Sequence, residues 1–243
     1  MQSLFPASPS MLSDDDLAEL YAYPVDRRWV RANFVTTLDG AAQGADDKSG
    51  SLTSELDKRV FAMLRSLCDV VLVGANTARV EGYQPLLDTE VDQAIRTRLG
   101  LPPVPALAVV SRTLDVDDVL LTGGAAPTII VTAQSAPSDL RAKAAEVGPV
   151  IVAGERDVDL AVALDELVGQ GYQRILCEGG PSLMRALVSS GQLDELCLTI
   201  TPTLTGGDRH RILRGDAVDP AARLTLRHLL ESDGQLFCRY TTT

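Results

Sequence analysis

Four short stretches carry residue types that could do chemistry. The sharpest is Ile175-Leu176-Cys177-Glu178-Gly179-Gly180-Pro181-Ser182-Leu183, an apolar run that ends in two glycines and then opens a helix. Glycines let backbone approach a ligand closely. Proline suits the first helical position, where its missing N–H costs nothing. The free N–H groups and positive end of such a helix favour an anion, a phosphate above all. Glu178 adds a carboxylate at the end of the strand. The pattern fits a nucleotide phosphate site with an acid beside it. It fits equally well an ordinary strand–turn–helix connection whose glycines serve close packing.

The other three stretches are Thr37-Leu38-Asp39-Gly40, Gly74-Ala75-Asn76-Thr77 and Ser111-Arg112. Each follows a run that reads as a strand. In open α/β sheets, ligands bind beyond the carboxyl ends of the strands, so four polar or glycine-rich corners converge on one crevice.

The elements that hold these corners alternate in type. Trp29 to Val35 reads as a strand, and Asp69 to Gly74 as a continuous apolar one, as expected in the centre of a parallel sheet. Between them Thr53 or Ser54 caps a helix whose Leu56, Val60, Leu64 and Leu67 share a face. Ala106 to Val110, Thr128 to Thr132 and Val150 to Ala153 read as strands, Ser138 to Glu146 and Asp159 to Val168 as helices. This alternation is the signature of an α/β sheet with crossover helices. The ending differs. Leu193 to Thr201 reads as a long strand, and Leu224 to Leu230 and Leu236 to Thr241 flank Asp233-Gly234, a hairpin signal. The expected organisation is an N-terminal extension over residues 1–28, with one helix begun by Ser13 and its three aspartates, and one domain over residues 29–243.

Composition narrows the function. A net charge of −11 argues against nucleic acid and anionic membrane surfaces, and a phosphorylated ligand would need local positive groups. With 45 % hydrophobic and 23 % charged residues the chain reads as a folded soluble protein. Its four cysteines, Cys68, Cys177, Cys197 and Cys238, form no Cys-x-x-Cys pair, and there are two histidines. Neither a metal site nor a redox dithiol is expected; buried reduced thiols of a cytoplasmic protein are. No secretory signal and no membrane span are expected.

The corners, taken in order, carry a resemblance. Asn33-Phe34-Val35-Thr36-Thr37-Leu38-Asp39-Gly40, Leu64-Arg65, Asp69 to Thr77, Val109-Val110-Ser111-Arg112, Glu178 to Leu183, and Leu193-Asp194-Glu195-Leu196 through Pro202 to Gly206-Gly207 span roughly residues 29–242. The chain resembles the pyrimidine reductases of riboflavin biosynthesis, in their stand-alone form. The zinc deaminase half of the fused enzymes needs His-x-Glu and Pro-Cys-x-x-Cys, and this chain has neither.

The resemblance implies a dihydrofolate-reductase-like α/β fold and a homodimer. It implies NADPH as cofactor and hydride transfer to C1′ of a phosphoribosylamino-pyrimidine, giving the ribityl form. By matching positions, Gly179, Gly180, Pro181, Ser182 and Leu183 bind the pyrophosphate, with Gly74 and Glu81 on the same cofactor. Thr77 and Val35 to Thr37 line the nicotinamide side. Ser111 and Arg112 meet the 2′-phosphate, where an arginine fork suits the anion; a solvated loop charge is the competing reading of Arg112. Glu178 contacts the substrate sugar as a catalytic residue, or merely bonds a nearby turn. Asp39 is a catalytic candidate or, as Asp before Gly often is, a turn residue. Asn33 and Arg65 fall on the substrate side; a solvated Arg65 fits the helix pattern equally.

Two positions depart from the family. Glu81 stands where an Asp is usual, and the arginine expected downstream, toward the substrate phosphate, falls near Asp88. Asn33 stands where fused bacterial enzymes often have Lys. A reductase of a drifted substrate, such as a pterin or dihydrofolate, or a non-catalytic NADP-binding homologue, is therefore the alternative.

Overall fold

The computed structural model describes residues 1–122 and 124–242; of residues 8–10 it describes the backbone alone. In chain order the elements are β1 (Gln2–Phe5), β2 (Ala7–Met11), α1 (Asp14–Leu20), β3 (Trp29–Thr37), α2 (Glu55–Leu67), β4 (Val70–Gly74), α3 (Ala75–Glu81), α4 (Gln93–Arg98), β5 (Ala106–Val110), α5 (Asp118–Thr122), β6 (Thr128–Thr132), α6 (Ser138–Val147), β7 (Val150–Val152), α7 (Leu160–Gly169), β8 (Arg174–Cys177), α8 (Pro181–Ser189), β9 (Glu195–Thr201), β10 (Leu224–Ser232) and β11 (Gln235–Thr242).

The strands form one sheet in the order β2-β1-β10-β11-β9-β3-β8-β4-β5-β6-β7. From β9 to β7 every neighbour is parallel; β11, β10, β1 and β2 add antiparallel pairs at one side. This is the mainly parallel α/β sheet with an antiparallel C-terminal hairpin that the sequence predicts. Strand β4 shows why the parallel part is central. Val71 and Val73 pack with Leu64 of α2 on one face, while Val70 and Leu72 pack with Leu164 of α7 and Leu187 of α8 on the other. Alternate side chains point to opposite faces, so a strand covered on both must be apolar throughout. At the hairpin, Asp233 and Gly234 both take positive φ, 51° and 78°, as a two-residue turn with the right twist requires.

The N-terminal residues hold more than the one expected helix. Strand β1 pairs with β10, and β2 with β1. Two four- and five-residue strands at a sheet edge, turning at Pro6, leave little periodicity to read. Helix α1 starts as expected, with Ser13 and Asp16 capping each other. The short helices α3, α4 and α5 have no counterpart in the sequence reading. Helix α3 has Gly74 at its N-cap and no side-chain cap, so it carries no start signal.

Strand β8 lies between β3 and β4, with Cys177 in register with Ala32 on one side and Leu72 on the other. Glu178 and the two glycines therefore emerge in the middle of the carboxyl edge.

Candidate active site

Gly74, at the end of β4, donates its N–H to the Gly179 carbonyl (2.8 Å), tying the two central strand ends together. Gly179 has φ +95° and Gly180 follows through a cis peptide. A side chain on Gly180 would place Cβ 2.1 Å from Thr77 Oγ1, so only glycine fits between α3 and the turn. Helix α8 begins at Pro181 with no side-chain cap, and its first N–H groups, those of Ser182 and Leu183, lack intrahelical partners. A cavity of about 890 Å³ opens over this turn. Uncapped helix N–H groups against glycine backbone fit a phosphate of a dinucleotide cofactor, and the cavity is large enough for a sizeable ligand.

Opposite the glycines stands a cluster of four side chains. Arg65 of α2 donates from Nε to Glu178 Oε1 (2.7 Å) and from Nη2 to Glu178 Oε2 (2.8 Å). Its Nη1 donates to Glu90 Oε1 (2.7 Å). Tyr83 Oη donates to Glu178 Oε2 (2.7 Å). Burial opposes the Arg65 charge, but Glu178 outweighs it and holds the guanidinium above its ordinary value. Burial, and then Glu178, push the Tyr83 phenol well above its usual range. The guanidinium lies 4.3 Å over the Phe61 ring. Glu178 is thus not a free carboxylate pointing into the crevice. It orients Arg65 and Tyr83 on the cavity wall, and three of the five N–H donors of Arg65 are used.

Among the other predicted residues, Asn33, Val35, Gly74, Thr77, Glu81, Gly180, Pro181, Ser182 and Leu183 line the cavity with Arg65 and Glu178. Gly179 lies behind its neighbour, with Phe34 3.1 Å from where a Cβ would sit. Glu81 accepts from the Ser49 N–H (2.8 Å) and so braces the loop after β3.

Asp39 and Thr37 are not brought to the cavity. Thr37 is buried, and its Oγ1 accepts from Ala41 N (2.9 Å) and donates to Asp39. Asp39 also accepts from Gly206 N (2.6 Å) and Thr205 N (3.2 Å). The Thr37 hydroxyl, and then the Gly206 N–H, hold its carboxyl at about 2. The oxygens of Asp39 are taken up in pinning one loop to another, the arrangement expected of a turn residue. Ser111 and Arg112 also lie outside the cavity lining, at the end of β5. Arg112 sits 3.4 Å from Asp157, with most of its side chain in solvent.

Several lining residues were missed. Asp57 and Phe61 share the cavity face of α2 with Arg65, at the four-residue spacing that Arg65 itself could have signalled. Tyr83 and Glu90 had no signal. Lys58, Arg209 and Arg214 bring positive charge to the cavity, which the chain as a whole lacks. Arg79 lies outside the cavity lining and pairs with Asp115 (2.7 Å). The segment carrying Arg209 docks on the loop after β3: Ala42 N donates to the His210 carbonyl (2.7 Å), and Arg209 pairs with Asp47 (2.7 Å).

The family model described as the RibD C-terminal domain matches residues 28–237. The chain belongs to the RibD C-terminal domain family. This RibD-family domain is 33 % identical over 219 residues to the 2,5-diamino-6-ribosylamino-4(3H)-pyrimidinone 5′-phosphate reductase of Methanothermobacter thermautotrophicus, covering 88 % of this chain and 98 % of the relative. It is similar in structure to a pyrimidine reductase-like protein from Corynebacterium diphtheriae, with TM-score 0.79, 28 % identity, and 93 % and 98 % of the two chains covered. The Thermotoga maritima diaminohydroxyphosphoribosylaminopyrimidine deaminase/5-amino-6-(5-phosphoribosylamino)uracil reductase shares its fold, with TM-score 0.65, 18 % identity, and 89 % and 57 % covered.

Proposed function

We propose that this RibD-family domain is an NADPH-dependent reductase that converts the ribosyl group of a phosphoribosylamino-pyrimidine to the ribityl form. The observation that carries the reading is the Arg65–Glu178 pair, set in the wall of a large cavity opposite a glycine turn that opens an uncapped helix. The match in family, and a relative named as such a reductase over nearly the full length of both chains, support it.

When bound, NADPH supplies the hydride that C1′ accepts, and the protein's task is placement. The N–H groups of Ser182 and Leu183 and the backbone of Gly180 would hold its pyrophosphate, Val35 and Thr77 would border its nicotinamide, and Ser111 and Arg112, outside the cavity lining, would meet its 2′-phosphate once Arg112 left Asp157. Arg65, fixed by Glu178, keeps two N–H donors for the sugar or its phosphate, and Lys58, Arg209 and Arg214 offset the acidic field around an anionic substrate. Opening of the ribose breaks the C1′–O4′ bond as the nitrogen gives up its proton and O4′ gains one, leaving an imine; reduction then adds the hydride at C1′ and a proton at the nitrogen. No protein nucleophile is needed.

No helix among the described residues is long and apolar enough to cross a membrane. A cytoplasmic homodimer is the proposed state, and light scattering at micromolar concentration tests the dimer. The function is tested by the loss of NADPH absorbance with the ribosylamino-pyrimidine phosphate as substrate. Turnover supports the reading. NADPH binding without oxidation on any ribosylamino-pyrimidine contradicts it.

A further inference from the structure

Helix α2 turns a polar face to the cavity. Asp57, Phe61 and Arg65 follow one another at four-residue steps, which stacks them on one side, and all three line the cavity. Arg65 is held by Glu178 and Glu90. Among the described residues Asp57 has no such ion pair. It is buried, with 7 % of its surface exposed, and the neighbouring Thr199 and Thr53 hydroxyls favour its charge less than burial opposes it. Burial pushes its carboxyl up.

Of the two neighbouring hydroxyls, that of Thr53 donates to the Ser49 carbonyl (3.3 Å), which leaves at most one hydrogen for a carboxylate with about four acceptor positions. A buried carboxylate is costly until donors reach it. The open side of Asp57 is the cavity, so the donors it lacks are those a ligand brings. Donors on adjacent atoms of a planar group suit it best, because two parallel N–H bonds match the two carboxylate oxygens.

We propose that Asp57 is the residue that reads the pyrimidine ring: it accepts the paired N–H donors of N3 and the 2-amino group of a 2-aminopyrimidin-4-one, and it rejects a ring with oxygen at position 2. The proposal rests on the reductase reading and deepens it. The two ring types differ at this edge and at the adjoining N1, an acceptor in the first and an N–H in the second. The 2,5-diamino-pyrimidinone offers N3–H beside an amino group, two donors side by side. The 5-amino-uracil offers N3–H beside a carbonyl, whose lone pairs would face a carboxylate oxygen. A site built to bond a given group strongly rejects an analogue that leaves its buried polar atoms unpaired. The chain then acts before the amino group at position 2 is lost, and a separate hydrolytic deamination must consume its product.

The test compares kcat/KM for the two ribosylamino-pyrimidine phosphates in the wild type and in Asp57→Asn. The wild type should prefer the 2-amino ring by at least about 10-fold. Asparagine presents one acceptor and one donor, the complement of N3–H beside a carbonyl, so Asp57→Asn should flatten or invert the preference while NADPH binds as before. A purely structural role for Asp57 would lower both rates and leave their ratio unmoved. Equal wild-type rates on the two rings, or an unchanged ratio in Asp57→Asn, would overturn the proposal while leaving the reductase reading intact. Should Asp57→Asn not fold, the wild-type preference and Asp57→Glu, which keeps the carboxylate and should keep the sign of the preference, decide the matter. Turnover of neither ring by the wild type would defeat the underlying reading and the proposal together.

Discussion

Arg65 and Glu178 lie 113 residues apart in sequence and meet through two parallel hydrogen bonds of 2.7 and 2.8 Å on the cavity wall. The pair joins α2 to the end of β8, so it sets the distance between the substrate face of the helix and the glycine turn. Its loss should therefore be felt in both stability and catalysis. Removing one partner of a buried pair costs about 3–5 kcal/mol. We expect Arg65→Met to lower the melting temperature by several degrees and to abolish turnover. Glu178→Gln, which keeps an acceptor for Arg65, should lose less stability but still lower kcat/KM by about 10-fold or more. Thermal melts and steady-state rates on both variants check this.

Gly180 and Thr77 make a second prediction. A methyl group on Gly180 would meet Thr77 Oγ1, and overpacking of this kind costs about 1–3 kcal/mol. Gly180→Ala should destabilise the fold and weaken NADPH binding. In a Thr77→Ala background the stability loss should shrink, because the clashing oxygen is gone. A double-mutant cycle on unfolding free energy measures the coupling.

Arg112 tests the cofactor preference. If its guanidinium leaves Asp157 for the 2′-phosphate, Arg112→Ala should raise the Kd for NADPH by about 10- to 100-fold and leave that for NADH nearly unchanged. Equal losses for both cofactors would return Arg112 to a surface ion pair.

The antiparallel side of the sheet carries a pH response. Burial, reinforced by Arg239, pushes the His228 imidazole from 6.5 down to about 4. Below pH 6.5 the unfolded chain takes a proton that the folded chain refuses, so stability is lost as pH falls from about 6.5 to about 4, by up to about 3 kcal/mol. Burial would raise the Glu195 carboxyl, but Arg31 and Arg239 outweigh it and hold it at about 2. Its contribution is complete above about 4.5 and is lost as pH falls toward 2. His228→Phe should remove the upper window and leave the lower one, since Tyr21 meets this ring edge-on at 4.7 Å and can pack against either. Urea midpoints at about pH 7 and about pH 5, for wild type and variant, read the difference.

What the sequence revealed follows from range. The parallel strands are short, apolar and continuous because both faces are covered, and the Asp233-Gly234 turn needs positive φ, so local composition betrays them. The Glu178-Gly179-Gly180-Pro181 motif was legible for the same reason: its requirements are local. The partners of Glu178 were not. Arg65 and Tyr83 reach it from elements far away in sequence, and nothing in a linear pattern says that a carboxylate will be claimed by an arginine. Asp57 was hidden differently. Near the start of α2 it reads as an ordinary dipole-favoured acid, and only the packing of α2 over the sheet turns it inward. Asp39 shows the converse, because an Asp-Gly corner beside a strand end matches a site in sequence and in space serves the loop. The edge strands β1 and β2 are too short for period to declare itself.

The central claim is that the cavity brings a nicotinamide hydride to C1′ of a ribosylamino-pyrimidine. NADPH carrying deuterium at the nicotinamide C4, supplied with the 2,5-diamino-pyrimidinone phosphate and followed by mass spectrometry and NMR of the product, tests it most directly. The account predicts a ribityl product with one deuterium at C1′ and none elsewhere. Deuterium on the pyrimidine ring, or NADPH bound with the ribosyl group left intact, would contradict it.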